Sequence, residues 1–259
     1  MEYRVSPLLR EELESACAVQ DYDDELRGRL LWHLYTPYAS VFKLQLNGAV
    51  VGYATGIVHG STGWVREVHC VPRIPLEEEC KLLQGLLQWM EAQGAATQLA
   101  IVYEIDELLF EDCGFESDGG LLWYEDGLFL QASKDEVIIM EPEHMMAVLH
   151  MDRQATGEDR EQLIREHQYL GSVYMEGTRV RGFSLPLLGN GLIVADSPEV
   201  GLELQRWLLP IQPHLILPVG HLQAHAHMIQ RKYTATPSGT RMVRGPRPAY
   251  KPHMIYAHP

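Results

Sequence analysis

Hydrophobic and polar positions change their period repeatedly along this chain, and each change marks an element. Residues 2–8 alternate as a short strand, and helical periods follow at 8–19 and 23–34, with Asp23 as the predicted N-cap of the second. Residues 40–46 and 49–58 alternate with period two. They are joined by Asn47-Gly48, a pair that accepts the positive φ angles of a tight hairpin. A turn at 60–63 leads into a third strand, 63–71, which stops at Val71-Pro72 because proline offers a ladder no N–H. From Pro75 the period lengthens to nearly four. Leu76, Cys80, Leu83, Leu87 and Met90 then fall on one helical stripe that ends at Gly94. Residues 97–102 read as a strand and 105–112 as a short helix closed by Cys113-Gly114-Phe115. Residues 119–131 are expected to supply closing strands around a turn at Asp126-Gly127.

The polar run 131–136 is the candidate boundary, dividing the chain into predicted domains 1–132 and 137–259. Beyond it a helical pattern begins near Glu141-Pro142, a second helix spans 161–167, and Gly182-Phe183 sits on a strand. Residues 189–209 read as strand, turn and helix, with Asp196-Ser197-Pro198 as the helix start. A strand at 215–220, a histidine-rich helix at 221–231 and a strand through Arg241-Met242 complete the pattern.

Composition narrows the class. With 259 residues, 46% hydrophobic and 22% charged, the chain suits one large or two ordinary globular domains. No apolar run approaches the roughly 20 residues that span a bilayer. The first residues carry acids where a signal peptide needs bases, so a cytoplasmic location is expected, with Cys17, Cys70, Cys80 and Cys113 as reduced thiols. A net charge of −14 argues against nucleic acid as a partner. All 35 acids lie at or before Glu203, and the residues after it carry seven Lys/Arg and six of the 12 histidines. Arg231, Lys232, Arg241 and Arg244 are therefore expected to pair in part with acids of the preceding body.

Glu67 and His69 share one face of their strand by the period of two. His221 and His225 share a helix face, but zinc needs three or four ligands and no HExxH or cysteine partner accompanies them. They and His227 read as structural, and no metal is expected. Asp152 and Arg160 read as a salt bridge anchoring a helix.

The strand, connection and amphipathic helix of 62–94 resemble the core of the GNAT superfamily of acyl-CoA N-acyltransferases, as do the hairpin wording NGAVVGYATG and Gly114-Phe115. Asp152-x4-Gly157-x2-Arg160, followed by the ordered units of the second half, resembles the tandem, YitH-like subgroup. The resemblance implies an α/β fold of tandem GNAT lobes, with mixed, mostly antiparallel sheets flanked by helices. It implies acetyl-CoA as cosubstrate and a small-molecule amine or amino group as acceptor, with a homodimer as the assembly to examine. Glu67 and His69 become the catalytic residues. Backbone at His69, Cys70 and Val71 would pair the pantetheine arm, with Leu76, Glu77 and Cys80 on the cofactor side of the helix start.

Two departures from the family pattern support a rival. Counting from Pro72, the usual Arg and first Gly become Pro75 and Leu76, the second Gly becomes Glu78, and Glu77 to Glu79 add negative charge where a pyrophosphate docks. Phe110 stands where a tyrosine acid is common. In the second half Lys232-Tyr233 replaces Gly-Phe. The rival reading is a GNAT-fold ligand-binding or protein-interaction module without catalysis.

Overall fold

The computed structural model describes residues 2–17 and 24–259, so the predicted N-cap Asp23 and helix end at Val19 lie outside the described residues. By compactness the chain forms two units, whose borders fall inside two strands. Unit 1 comprises Met1–Asp118 and Arg241–Arg247, and unit 2 comprises Gly119–Thr240 and Pro248–Pro259.

Unit 1 opens with β1 (Tyr3–Pro7), α1 (Leu13–Cys17) and α2 (Asp24–Tyr35). The strands β2 (Ala39–Leu46), β3 (Ala49–His59) and β4 (Thr62–Cys70) follow, then α3 (Leu76–Ala92), β5 (Thr97–Val102) and α4 (Glu107–Asp112). β1 to β4 pair antiparallel in sequence order. β5 then adds parallel to β4 over Thr62–Val65, opposite Thr97–Ala100. Asn47 and Gly48 both take positive φ, 50° and 89°, which is the backbone a two-residue hairpin needs.

α3 lies on one face of this sheet. It buries Leu82, Leu83, Leu86, Leu87 and Met90 against Phe42, Leu44, Ala54 and Val65. The predicted stripe is thus rotated: Leu76 is 41% exposed and Cys80 only half-buried, because the sheet selects a face centred one position away. On α1 and α2, Leu13, Ala16, Cys17, Leu26 and Leu30 pack with Val41 and Tyr53 in a separate core.

β6 (Glu116–Glu125) and β12 (Thr234–Arg244) carry the chain across the unit border. Arg241, a fully buried side chain, is ion-paired with Asp118. Arg244 reaches Glu91 at 2.6 Å, and Arg247 reaches Glu116 and Asp118 at 2.9 and 3.0 Å. The expected pairing with earlier acids holds for Arg241 and Arg244, whereas Arg231 donates to the Leu128 carbonyl at 2.8 Å instead.

Unit 2 contains β7 (Val137–Ile139), α5 (Met145–Thr156), α6 (Glu161–Glu166), β8 (Ser172–Glu176), β9 (Arg179–Leu185) and β10 (Leu192–Ala195). It continues with α7 (Pro198–Leu208), β11 (Leu215–Pro218), α8 (Leu222–Gln230) and β13 (Ile255–Ala257). Strand order is β1-β2-β3-β4-β5-β12-β6-β11 in an eight-stranded sheet and β13-β10-β9-β8-β7 in a five-stranded one, both flanked by helices. The fold class is therefore the mixed α/β one that the sequence predicts.

The closing strands expected over 119–131 reduce to β6. Asp126 turns the chain at φ 59°, and residues 127–136 have no regular structure, with Leu128 and Phe129 more than half exposed. The stretch 133–134 is fastened within unit 2 all the same: the Ser133 and Lys134 amides donate to Glu203 Oε1 at 2.6 and 2.9 Å. Burial pushes the Glu203 pKa up, but those amides and Arg206 outweigh it and hold the carboxyl below its usual range. Its stabilising contribution is then present above the unfolded value of about 4.3 and lost as pH falls through the lower folded value. Glu203→Gln is expected to flatten the acid limb of thermal melts between about pH 5 and pH 3. An unchanged limb would remove Glu203 from that role.

Gly114 closes α4 at φ 85° with Phe115 returning to the core, and Lys232 repeats the left-handed step after α8 at φ 61° with Tyr233 buried behind it. The two halves thus share the turn, although only the first uses the residue that adopts it without strain.

Candidate functional site

The site grows from an irregularity in β4. Thr55 pairs with Glu67 and Gly56 with Val65, so Arg66 is an extra residue without a partner on β3. Such a bulge bends its strand and increases the local twist. The ladder between β4 and β5 stops at Val65 and Ala100, just before the bulge, so Arg66–Cys70 extend past the end of their pairing with β5. That free β5-side edge of β4 is the candidate slot, and the chain leads from it through residues 71–75 into α3.

The side chains of that β4 end divide between two faces. Cys70 and Val68 pack towards α3, and Cys80 lies on the same core, its carbonyl accepting the Cys113 thiol. Burial, reinforced by nearby Glu79, pushes the Cys70 thiol up to about 12, so it stays protonated. Glu67 and His69 face the other way, as their parity predicts. Tyr53 of β3 sits opposite His69 in register and joins the pair: its hydroxyl donates to Glu67 Oε1 at 2.8 Å and its ring lies 5.7 Å from the His69 ring. Tyr53 is fully buried, and burial together with the hydrogen bond and charge of Glu67 raises its pKa far above the phenol range. It remains a donor and fixes Glu67.

α2 supplies the rest of this wall. Arg29 approaches Glu67 at 3.8 Å. His33 is 9% exposed, and its Nδ1–H donates to the Arg29 carbonyl at 2.9 Å, leaving Nε2 buried without a partner among the described residues. Burial pushes its pKa down to about 4, and the charges of Arg66 and Arg29 act in the same direction. Sequence reasoning missed Tyr53, Arg29 and His33. Tyr53 was within reach of hairpin register, but the other two arrive from a helix whose docking no local pattern reveals.

At the far end of the slot Pro75 is the N-cap of α3, and the Glu78 and Glu79 amides already bond the Pro75 carbonyl at 2.8 and 3.2 Å. Glu77 and Glu78 are tied to Lys81 at 2.9 and 2.8 Å. Glu79 is half-buried. Burial raises its pKa and Asp106 adds to the rise, while Asp106 is itself raised by burial with His69 partly offsetting it. Phe110 is buried edge-on against Phe115 at 5.2 Å and brings no hydroxyl. The slot beside His69, Cys70 and Val71 therefore suits an extended, amide-bearing arm. The helix start carries Leu76 and three carboxylates and opposes a diphosphate.

The three helix-221 histidines have separate tasks. His221 Nδ1 accepts the Ala224 amide as an N-cap; His225 Nε2–H donates to the Pro218 carbonyl at 2.9 Å while its Nδ1 meets the Tyr124 hydroxyl at 2.7 Å; His227 Nε2 meets Arg231. Asp152 and Arg160 form a buried bidentate pair at 2.5 and 3.1 Å. No described helix is long and apolar enough to cross a membrane.

No protein-family model and no curated protein matches the sequence. Solved structures do resemble the fold. A candidate acetyltransferase from Pyrococcus horikoshii superposes at TM-score 0.78 with 15% identity, covering 98% of this chain and 93% of that one. A tandem GNAT protein from the clavulanic acid biosynthesis pathway gives 0.60 with 13% identity, covering 94% and 98%. A GCN5-related N-acetyltransferase from Sphaerobacter thermophilus gives 0.59 with 13% identity, covering 96% and 97%. Identity this low speaks to architecture alone. With coverage close to complete on both sides, and with β4, its diverging neighbour β5 and α3 in the required order, the chain has the GNAT acetyltransferase fold.

Proposed function

We propose that this chain is an acetyl-CoA-dependent N-acetyltransferase acting on a small amine or amino group, with its working slot in unit 1. The observation that carries the reading is the Glu67 carboxylate, held by the buried Tyr53 hydroxyl beside the unpaired end of β4. Acyl-CoA, when bound, supplies an acyl group activated as a thioester. The backbone at His69–Val71 orients its arm, with Leu76, Glu77 and Cys80 near the helix start. Glu67 accepts a proton from the incoming ammonium at its carboxylate, directly or through a water, and so frees the amine lone pair. His69, on the same face, is the group through which that proton leaves. Phe110 gives the departing thiolate no acid, so it leaves as the thiolate or takes its proton from water. The repeats proposed for the two halves are 1–132 and 137–259.

One feature favours a second reading, a GNAT-fold binding module: the acids at the start of α3. Calorimetric titration with acetyl-CoA and free CoA separates the two. Weak binding is expected, and Glu77→Gln/Glu78→Gly should tighten it by about tenfold, since each nearby screened charge opposes a diphosphate by roughly 1 kcal/mol and a decade of affinity is about 1.4 kcal/mol. Absence of heat up to millimolar cofactor for both proteins would leave the module reading standing.

A further inference from the structure

Unit 2 repeats the strand-to-helix arrangement around the slot. β10 runs into α7 through Asp196-Ser197, and β11 runs into α8, as β4 runs into α3 and β5 into α4. The difference lies between the two strands. β4 and β5 pair directly before they diverge, whereas β13 lies against both β10 and β11. It pairs antiparallel with β10, Ile193 opposite Ala257 and Val194 opposite Ile255, and the His258 amide donates to the Ile216 carbonyl of β11 at 2.8 Å.

This strand is also fastened from the helix side. Gln205 of α7 donates through Nε2 to the Tyr256 carbonyl at 2.6 Å. The Tyr256 ring covers Gly201 so closely that a Cβ there would stand 2.3 Å from ring carbons, and it meets the His221 ring edge-on at 4.2 Å. Ile255, Tyr256 and Ala257 are each no more than 1% exposed.

We propose that the C-terminal segment 255–258 is the resident occupant of unit 2's counterpart of the slot, so that unit 2 takes up no acyl-CoA and the chain holds at most one. A peptide strand and an extended amide-bearing arm satisfy a sheet edge in the same way, through alternating N–H and C=O groups, and two such chains cannot share one gap. Gly201 is the position that admits the occupant: only a residue without Cβ lets the tyrosine ring lie on the helix backbone. Expelling the segment would strip partners from the Ile216 carbonyl and the Gln205 amide and leave an apolar trench between the strands. The proposal rests on the function proposed above only for the identity of the ligand excluded.

Amide hydrogen exchange on the full chain tests it, with and without millimolar CoA or acetyl-CoA. The amides of 255–258 should be among the slowest of unit 2, and neither compound should change them. Gly201→Ala should cause loss of protection at 255–258 ahead of β8 and β9. Fast exchange of the segment in the untreated chain, loss of its protection on adding CoA, or two CoA molecules per chain by equilibrium dialysis would each overturn the proposal. If the unit 1 reading alone fails, dialysis shows no bound CoA while 255–258 stay slow and respond to Gly201→Ala.

Discussion

Glu67→Gln is expected to lower kcat by roughly 10²–10⁴-fold, the range lost when a positioned base is removed. The replacement keeps the shape of the side chain and an oxygen that still accepts the Tyr53 hydroxyl, now at 2.8 Å. Packing around Tyr53, which is fully buried, is therefore retained. Only the capacity to take a proton is lost. The measurement is thiol release from acetyl-CoA across a panel of small amines, with the thermal midpoint and the affinity for CoA recorded in parallel. Both should match the parent protein while turnover collapses. An unchanged rate would move the base elsewhere, with His69 next to be replaced. A lowered thermal midpoint would assign Glu67 to holding β3 and β4 together. Tyr53→Phe should give a smaller loss, because it frees Glu67 to turn without removing it.

The second large effect concerns stability in unit 2. Asp152→Ala is expected to cost about 3–5 kcal/mol, the usual penalty for leaving one member of a buried pair alone. Asp152 and Arg160 have side chains only 3% and 5% exposed, joined through both guanidinium contacts at 2.5 and 3.1 Å. Burial by itself would lower the Arg160 pKa. The charge and hydrogen bonds of Asp152, helped by Glu158 and Tyr250, reverse that and keep the guanidinium charged at every accessible pH. Without Asp152 a buried cation that cannot shed its proton loses its main counter-charge and keeps only the smaller contributions of Glu158 and Tyr250. Replacing both residues with leucine and methionine should cost less than the single change, since the guanidinium is removed together with its main counter-ion. Urea unfolding of the two variants decides the matter: equal losses would mean that packing around the side chains, rather than their charges, sets the value.

Local chemistry made much of this fold legible. Asn47-Gly48, the stop at Val71-Pro72, the start at Pro75 and the Gly114-Phe115 turn each act within a few residues, and the observed elements end where those residues place them. What failed depended on distant partners. The face of α3 is chosen by the sheet beneath it, which buries Leu82 and Leu86 and leaves Leu76 out. The extra residue at Arg66 exists only relative to β3, so no period in β4 announces it. Asp126-Gly127 has the composition of a hairpin, yet residues 127–131 form no second strand, because β12 and β11 already occupy both sides of β6. β13 has three residues beside Pro252 and offers too short a pattern to read. In the site, the shared face of Glu67 and His69 followed from parity alone, whereas Tyr53 and Arg29 come from other elements and had no signal in the stretch that carries the carboxylate.

The placement of Arg241–Arg247 within unit 1 bears on how this protein is made. Met242 and Val243 belong to apolar cores otherwise built from residues 3–115, and Arg241 and Arg247, the two cations paired with Asp118 among the described residues, come from the same stretch. Synthesis runs from the N-terminus, and leading domains ordinarily fold as they emerge. Here the leading unit waits for a strand encoded more than 100 positions later, at 241–247, so a nascent chain stalled at residue 132 would carry an open sheet edge beside β5 and an unpaired Asp118. Such intermediates are substrates for chaperones and for association with their own kind. Premature termination anywhere before Arg241 would therefore damage both halves at once, and dissection into two separately expressed pieces at the 131–136 segment should yield an N-terminal product that aggregates.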